Sequence, residues 1–121
     1  MSLPALTEKP MTASGSRLQS WRQLLESGLD PRLYSWKDLP VGIRRVELEE
    51  HAWHRRLNAV VCFFRDVESE QRYRVTVFEE PGIRRFGPEG VDFRTLPPQT
   101  ILNIEIQMNR TGTFRIVGAQ L

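Results

Sequence analysis

The sequence predicts a mainly β domain, α+β by content, with five antiparallel strands behind a short helical N-terminal extension. Two observations point there. Apolar residues recur at helical spacing up to about residue 40 and at every second position from Val41 onward. The later region also breaks into five such runs, separated by polar or Gly- and Pro-containing stretches. With 121 residues, 40% hydrophobic and 26% charged, the chain suits one soluble domain with its own core.

Residues 1–15 are rich in Pro, Ser, Thr and Ala without an apolar period and read as a flexible tail. Residues 16–40 read as a helical extension. Ser16 and Gln19 have the spacing of a capping box, and Leu18, Trp21 and Leu25 then share one helical face, with Leu24 beside them. Gly28 ends that helix, placed over 17–27. So short a helix is marginal alone and must dock on something. Asp30 and Pro31 start a second turn of helix that stops before Pro40.

Residues 41–121 form the β domain. A first strand over 42–50 sets Val46 and Leu48 on one face. The run 57–65 is apolar on both faces, as a central strand covered on both sides would be. After a polar hairpin loop at 66–70, residues 71–79 alternate Tyr73, Val75 and Val77 with Arg72, Arg74 and Thr76. Residues 80–99, with Pro81-Gly82, Gly87-Pro88, Gly90 and Pro97-Pro98, form a long connection without an amphipathic helix. Strands over 100–109 and 113–119 close the chain. Their apolar faces coincide if Arg110, Thr111 and Gly112 make a three-residue loop with Gly112 left-handed, setting Met108 opposite Phe114 and Ile106 opposite Ile116. Glu105 then lies diagonal to Arg115.

Three strands, a long connection and a terminal hairpin resemble the layout of an oligonucleotide/oligosaccharide-binding (OB) barrel. Phe63-Phe64-Arg65-Asp66 and the stretch from Arg74-Val75 to Val77-Phe78 look like its second and third strands. Leu96-Pro97-Pro98-Gln99-Thr100 looks like the approach to its fourth, and the likeness covers 41–121. The connection lacks the helix usual in OB folds, so an SH3-like barrel and an open antiparallel sheet stand as alternatives. The resemblance implies a ligand surface on the faces of strands two and three, flanked by the loops after strands one and four. The first of those loops is His51-Ala52-Trp53-His54-Arg55-Arg56. The implied surface therefore combines Trp53, His54, Arg55, Arg56, Arg72, Arg74 and Arg110.

Trp53 would stack a base and the arginines would follow phosphates, giving a non-enzymatic module for single-stranded nucleic acid. The competing reading has Glu47, Glu49 and Glu50 neutralise Arg55 and Arg56 while Trp53 caps the barrel. The rival function is a protein-interaction or assembly subunit, with a protein partner or a second copy of the chain docked on the tail and on Leu18, Trp21 and Leu25. If the helix instead covers strands two and three, it blocks the ligand surface.

Charge is balanced: 17 basic residues, all Arg except Lys9 and Lys37, face 15 acidic ones. No obligate polyanion binder is implied. Two histidines and one cysteine make a poor metal set, so neither metal nor cofactor is expected. Cys62 lies in the most apolar strand without a basic neighbour, and neither a nucleophile turn nor a phosphate-cradling Gly-rich loop occurs, so catalysis finds no support. Arg84-Arg85-Phe86 either contacts phosphate or, the favoured reading, sends Phe86 under the barrel with Phe93 as a plug. Without an apolar leader or span the expected setting is cytoplasmic and free of membrane, and Asn109-Arg110-Thr111 reads as a turn rather than a glycosylation site.

Overall fold

The computed structural model describes residues 18–82 and 84–121. The tail at 1–15 and the cap at Ser16 lie outside them. In chain order the elements are β1 (Gln19–Ser20), α1 (Trp21–Glu26), a 3-10 turn (Pro31–Leu33), β2 (Gly42–His54), β3 (Ala59–Asp66), β4 (Arg72–Phe78), β5 (Thr100–Met108) and β6 (Phe114–Gln120). The five long strands form one antiparallel sheet in the order β4-β3-β2-β5-β6, and β1 adds in parallel to β2 at Ala52 and Trp53.

The sheet is not closed into a barrel, which corrects the expectation from sequence. β4 and β6 line opposite sides of one groove without a ladder between them. The edge of β4 is taken by the N-terminal extension instead. Ser35 N–H donates to the Arg72 carbonyl at 3.2 Å, and Arg74 N–H donates to the Ser35 carbonyl at 2.9 Å. From there the chain crosses to β2, with Leu39 buried in the main core on the way.

β2 runs four residues beyond the predicted end at residue 50. A bulge after Leu48 sets both Glu49 and Glu50 against Phe63. Alternation resumes in the opposite phase, so Val46 and Leu48 point inward before the bulge, and His51 and Trp53 after it. Glu49 and Glu50, at the predicted end of the strand, are the bulge itself.

β3 matches its reading closely: Ala59 through Phe64 are all buried. Val60, Cys62 and Phe64 enter the main core with Tyr73, Val75 and Val77 of β4 and Leu102, Ile104 and Ile106 of β5. Val61 and Phe63 point the other way, into a smaller cluster with Ala52, Leu24 and Tyr34, against which Trp21 packs. The extension therefore covers its own sheet. Its helix starts at Trp21, not at residue 17, because the capping box is built by Ser20 and Gln23. Gln23 N–H donates to Ser20 Oγ at 3.2 Å, and Ser20 N–H donates to Gln23 Oε1 at 2.8 Å. Leu24 is the residue that docks, and Leu25 stays 46% exposed.

The described residues between β4 and β5 plug the sheet as irregular chain, with Phe86, Val91, Phe93 and Leu96 buried in the main core. Gly87 is obligatory there. Its φ is +154°, and a Cβ would lie 2.5 Å from the Val91 carbonyl oxygen and 2.9 Å from the Phe93 ring. The final hairpin has the expected register, Met108 opposite Phe114 and Ile106 opposite Ile116, with Gly112 at φ +83°.

Candidate functional site

β4 alternates strictly. Tyr73, Val75 and Val77 are buried, so Arg72, Arg74, Thr76 and Phe78 project outward in one row. Arg72 is held: its Nε donates to Glu49 Oε1 at 3.0 Å, and the same oxygen accepts from the Tyr34 hydroxyl at 2.7 Å. Burial and that carboxylate push the Tyr34 phenol up to about 12, so it stays a donor. Beside them Arg65 pairs with Glu47 at 2.7 Å. Arg74 has no ion pair among the described residues.

Two grooves meet at Arg74. One, of about 570 Å³, runs between the 3-10 turn and β4 and is lined by Arg32, Tyr34, Trp36, Lys37, Arg72 and Arg74 among others. The larger, of about 740 Å³, follows the open seam between β4 and β6. Trp36, Lys37 and Arg74 line both. Trp36 is 57% exposed, with Lys37 Nζ 4.7 Å above its ring, and Phe78 is 55% exposed along the seam. Asp38, Glu79 and Glu80 balance the seam groove, with Glu80 engaged by Arg115 at 2.9 Å. The smaller groove has no acidic residue in its lining.

The surface expected from sequence is thus only partly assembled. Arg72 and Arg74 belong to it. Trp53 is half-buried, its ring edge-on to Phe86 with centroids 5.4 Å apart, and it closes the core rather than presenting a stacking face. His54 lies against Trp21, centroids 5.5 Å apart, and its Nδ1 accepts the Leu57 N–H at 3.2 Å, which fixes the turn. Arg55 and Arg56 are exposed on that turn, and Glu47, Glu49 and Glu50 engage Arg65, Arg72 and Gln19 instead of them. Arg110 is exposed on the β5–β6 loop. That loop lies at the Gly42 end of β2, because Gly42 pairs with Ile106, whereas residues 55–58 follow the His54 end. The two loops therefore do not flank one surface. Arg115 reaches Glu80 rather than Glu105.

Leu18 and Trp21 pack on the protein's own clusters, which leaves Leu25 alone of that trio facing out. His51 is fully buried opposite Cys62, and His54 lies on the other side of the sheet, so the two imidazoles do not converge. Among the described residues no three His, Cys, Asp or Glu side chains group as metal ligands. Burial drives the Cys62 thiol far above its ordinary range, and so keeps it unreactive. No described helix is long and apolar enough to cross a membrane.

The chain matches no known protein family, curated protein or solved structure.

Trp36, Lys37 and Phe78 were not singled out from sequence. Phe78 did carry a signal, being an aromatic at the outward parity of β4. Trp36 carried none, because its exposure follows from Ser35 pairing with β4 and Leu39 entering the core on either side of it.

Proposed function

We propose that the protein is a binding module for single-stranded nucleic acid, using Trp36, Lys37, Arg72 and Arg74. One observation carries the reading: two cations without carboxylate partners among the described residues, Lys37 and Arg74, line with an exposed indole the place where two grooves meet. Single strands are bound by such pairings, with bases stacked on aromatic faces at roughly 1–3 kcal/mol each and phosphates drawn to adjacent cations. The smaller groove suits the phosphates through Lys37 and Arg74, since its Arg32 and Arg72 are engaged by Asp30 and Glu49, and the seam with Phe78 suits bases. The strand order supports an OB-like reading of the domain, whose barrels are often partly open and use strands two and three, here β3 and β4. The extension covers β3, so the usable part of that surface is the β4 row.

A cytoplasmic setting fits a chain whose one cysteine is free and buried. Docking of a partner on α1 has less to stand on, since Trp21 and Leu24 already face Phe63 and its neighbours.

The deciding experiment is fluorescence anisotropy of the full chain with single-stranded and duplex oligonucleotides across a salt series. Expected are preference for the single strand, affinity falling steeply with salt, and a loss of roughly tenfold or more in Trp36→Ala. Absence of binding at low salt, or equal binding by Trp36→Ala and Arg74→Glu, would sink the reading.

A further inference from the structure

Arg55 and Arg56 lie outside the grooves, yet they stand at the far end of the row that borders them. Arg72 and Phe78 are separated by six residue steps, roughly 20 Å of extended strand. Phe78 pairs with Ala59, the first residue of β3, and residues 55–58 immediately precede it. Their turn is well fixed. Leu57 N–H donates to His54 Nδ1, Asn58 N–H donates to the Arg55 carbonyl at 3.3 Å, and Asn58 takes a φ of +52°. Arg55 and Arg56 are both exposed on it, without an ion pair among the described residues. Arg32, Arg44, Arg65, Arg72, Arg94 and Arg115 each have a carboxylate partner. Two adjacent guanidiniums without one, on a fixed turn one strand over from the Phe78 end of the outward row, form a ready phosphate contact.

Building on the nucleic-acid reading above, we infer that the β2–β3 turn is a second phosphate-binding end of the same track. A strand seated at Trp36 and Arg74 runs along β4 past Phe78 and is held at its other end by Arg55 and Arg56. The protein therefore selects by length. A short oligonucleotide fills the Trp36 end alone, and a longer one gains the turn.

The test uses the full chain and labelled oligothymidylates of about 5 and about 16 nucleotides, near the two ends of the site sizes of one OB-type domain. Wild type is expected to bind the longer probe at least about tenfold more tightly. Arg55→Ala/Arg56→Ala should remove most of that advantage and leave the short probe unchanged. It should also reduce the log–log salt slope for the long probe by about 1.4, since each single-strand phosphate contact contributes about 0.7. Arg55→Lys/Arg56→Lys should keep the slope. Thermal melting of both variants should match wild type, because the turn is exposed. The inference is overturned if the double alanine variant binds the long probe like wild type, or weakens both probes equally. Binding of both probes by wild type without a length advantage overturns it while sparing the Trp36 site. Failure to bind either probe overturns both.

Discussion

β3 and β4 are neighbours in one ladder, each sending alternate side chains into the same core, yet their outward rows have opposite characters. On β3 the outward residues Val61 and Phe63 are fully or almost fully buried under Trp21, Leu24 and Tyr34. On β4 they are Arg72, Arg74, Thr76 and Phe78, and the extension stops at its edge, where Ser35 pairs. The sheet alone does not decide which outward row stays exposed. The N-terminal segment does, by covering one strand and rimming the next.

The largest expected effect breaks the covered side. Phe63 is fully buried, edge-on to Tyr34 with centroids 5.1 Å apart and near Trp21 at 6.0 Å. Phe63→Ala should cost about 3–5 kcal/mol in urea unfolding, from lost transfer energy plus an unfilled cavity. If it costs less than about 1 kcal/mol, the extension does not seal β3, and the contrast between the two rows fails.

Next comes the carboxylate that closes the β3–β4 hairpin and so sets these strands in register. Asp66 is 1% exposed; its Oδ1 accepts the Glu68 and Ser69 N–H groups, and its Oδ2 accepts Arg44 Nε at 2.7 Å. Burial pushes the carboxyl up, but the Ser69 amide, the Arg44 guanidinium and the Glu68 amide outweigh it and hold the group below the usual carboxylate range. A carboxyl held low in the fold takes up protons less readily than in the unfolded chain. Its contribution is complete above the unfolded value near pH 4 and is lost as pH falls through the folded one. Asp66→Ala should cost about 2–3 kcal/mol at neutral pH. The melting temperature of Asp66→Asn should depend less steeply on pH below about 4 than that of wild type.

The strands were legible because alternation and apolar runs are local, and the last hairpin followed from matching two apolar faces across a three-residue loop. The end of β2 was hidden. A bulge reverses the phase of alternation, and Glu49-Glu50 imitates a terminus. The start of the helix was hidden, since Ser16-Gln19 and Ser20-Gln23 share the same spacing in sequence and docking of Leu24 favours the second. The site was legible only at Arg72 and Arg74, where parity along one strand suffices. Sequence left Trp53 between stacking a base and capping the core, because its partner Phe86 lies in a connection without periodicity. The open seam was equally out of reach, being set by which chain takes the β4 edge.

A smaller effect probes the inner face that both strands share. His51 is fully buried opposite Cys62, and neither ring nitrogen has a hydrogen-bond partner among the described residues. An unsatisfied polar group in a core is a cost, so His51→Leu should raise stability by about 1 kcal/mol without altering oligonucleotide binding. A loss of binding would show that the core contributes chemistry to the outer rows and would weaken their contrast.

The smallest expected effect separates two arginines one turn of the pleat apart. Arg72 bridges to Glu49 with its side chain 47% exposed, and exposed pairs of this kind contribute at most about 1 kcal/mol. Arg72→Ala should therefore lower stability slightly, with Glu49 still accepting from Tyr34. Arg74 has no such partner among the described residues, so Arg74→Ala should leave urea unfolding within about 0.5 kcal/mol of wild type. In binding the order should invert. A guanidinium already held by a carboxylate has part of its charge neutralised, whereas one without a carboxylate partner meets phosphate at full strength. Arg74→Ala should thus weaken single-strand binding more than Arg72→Ala while destabilising less. If stability and affinity fall together in both variants, the outward row of β4 is structural, as that of β3 is.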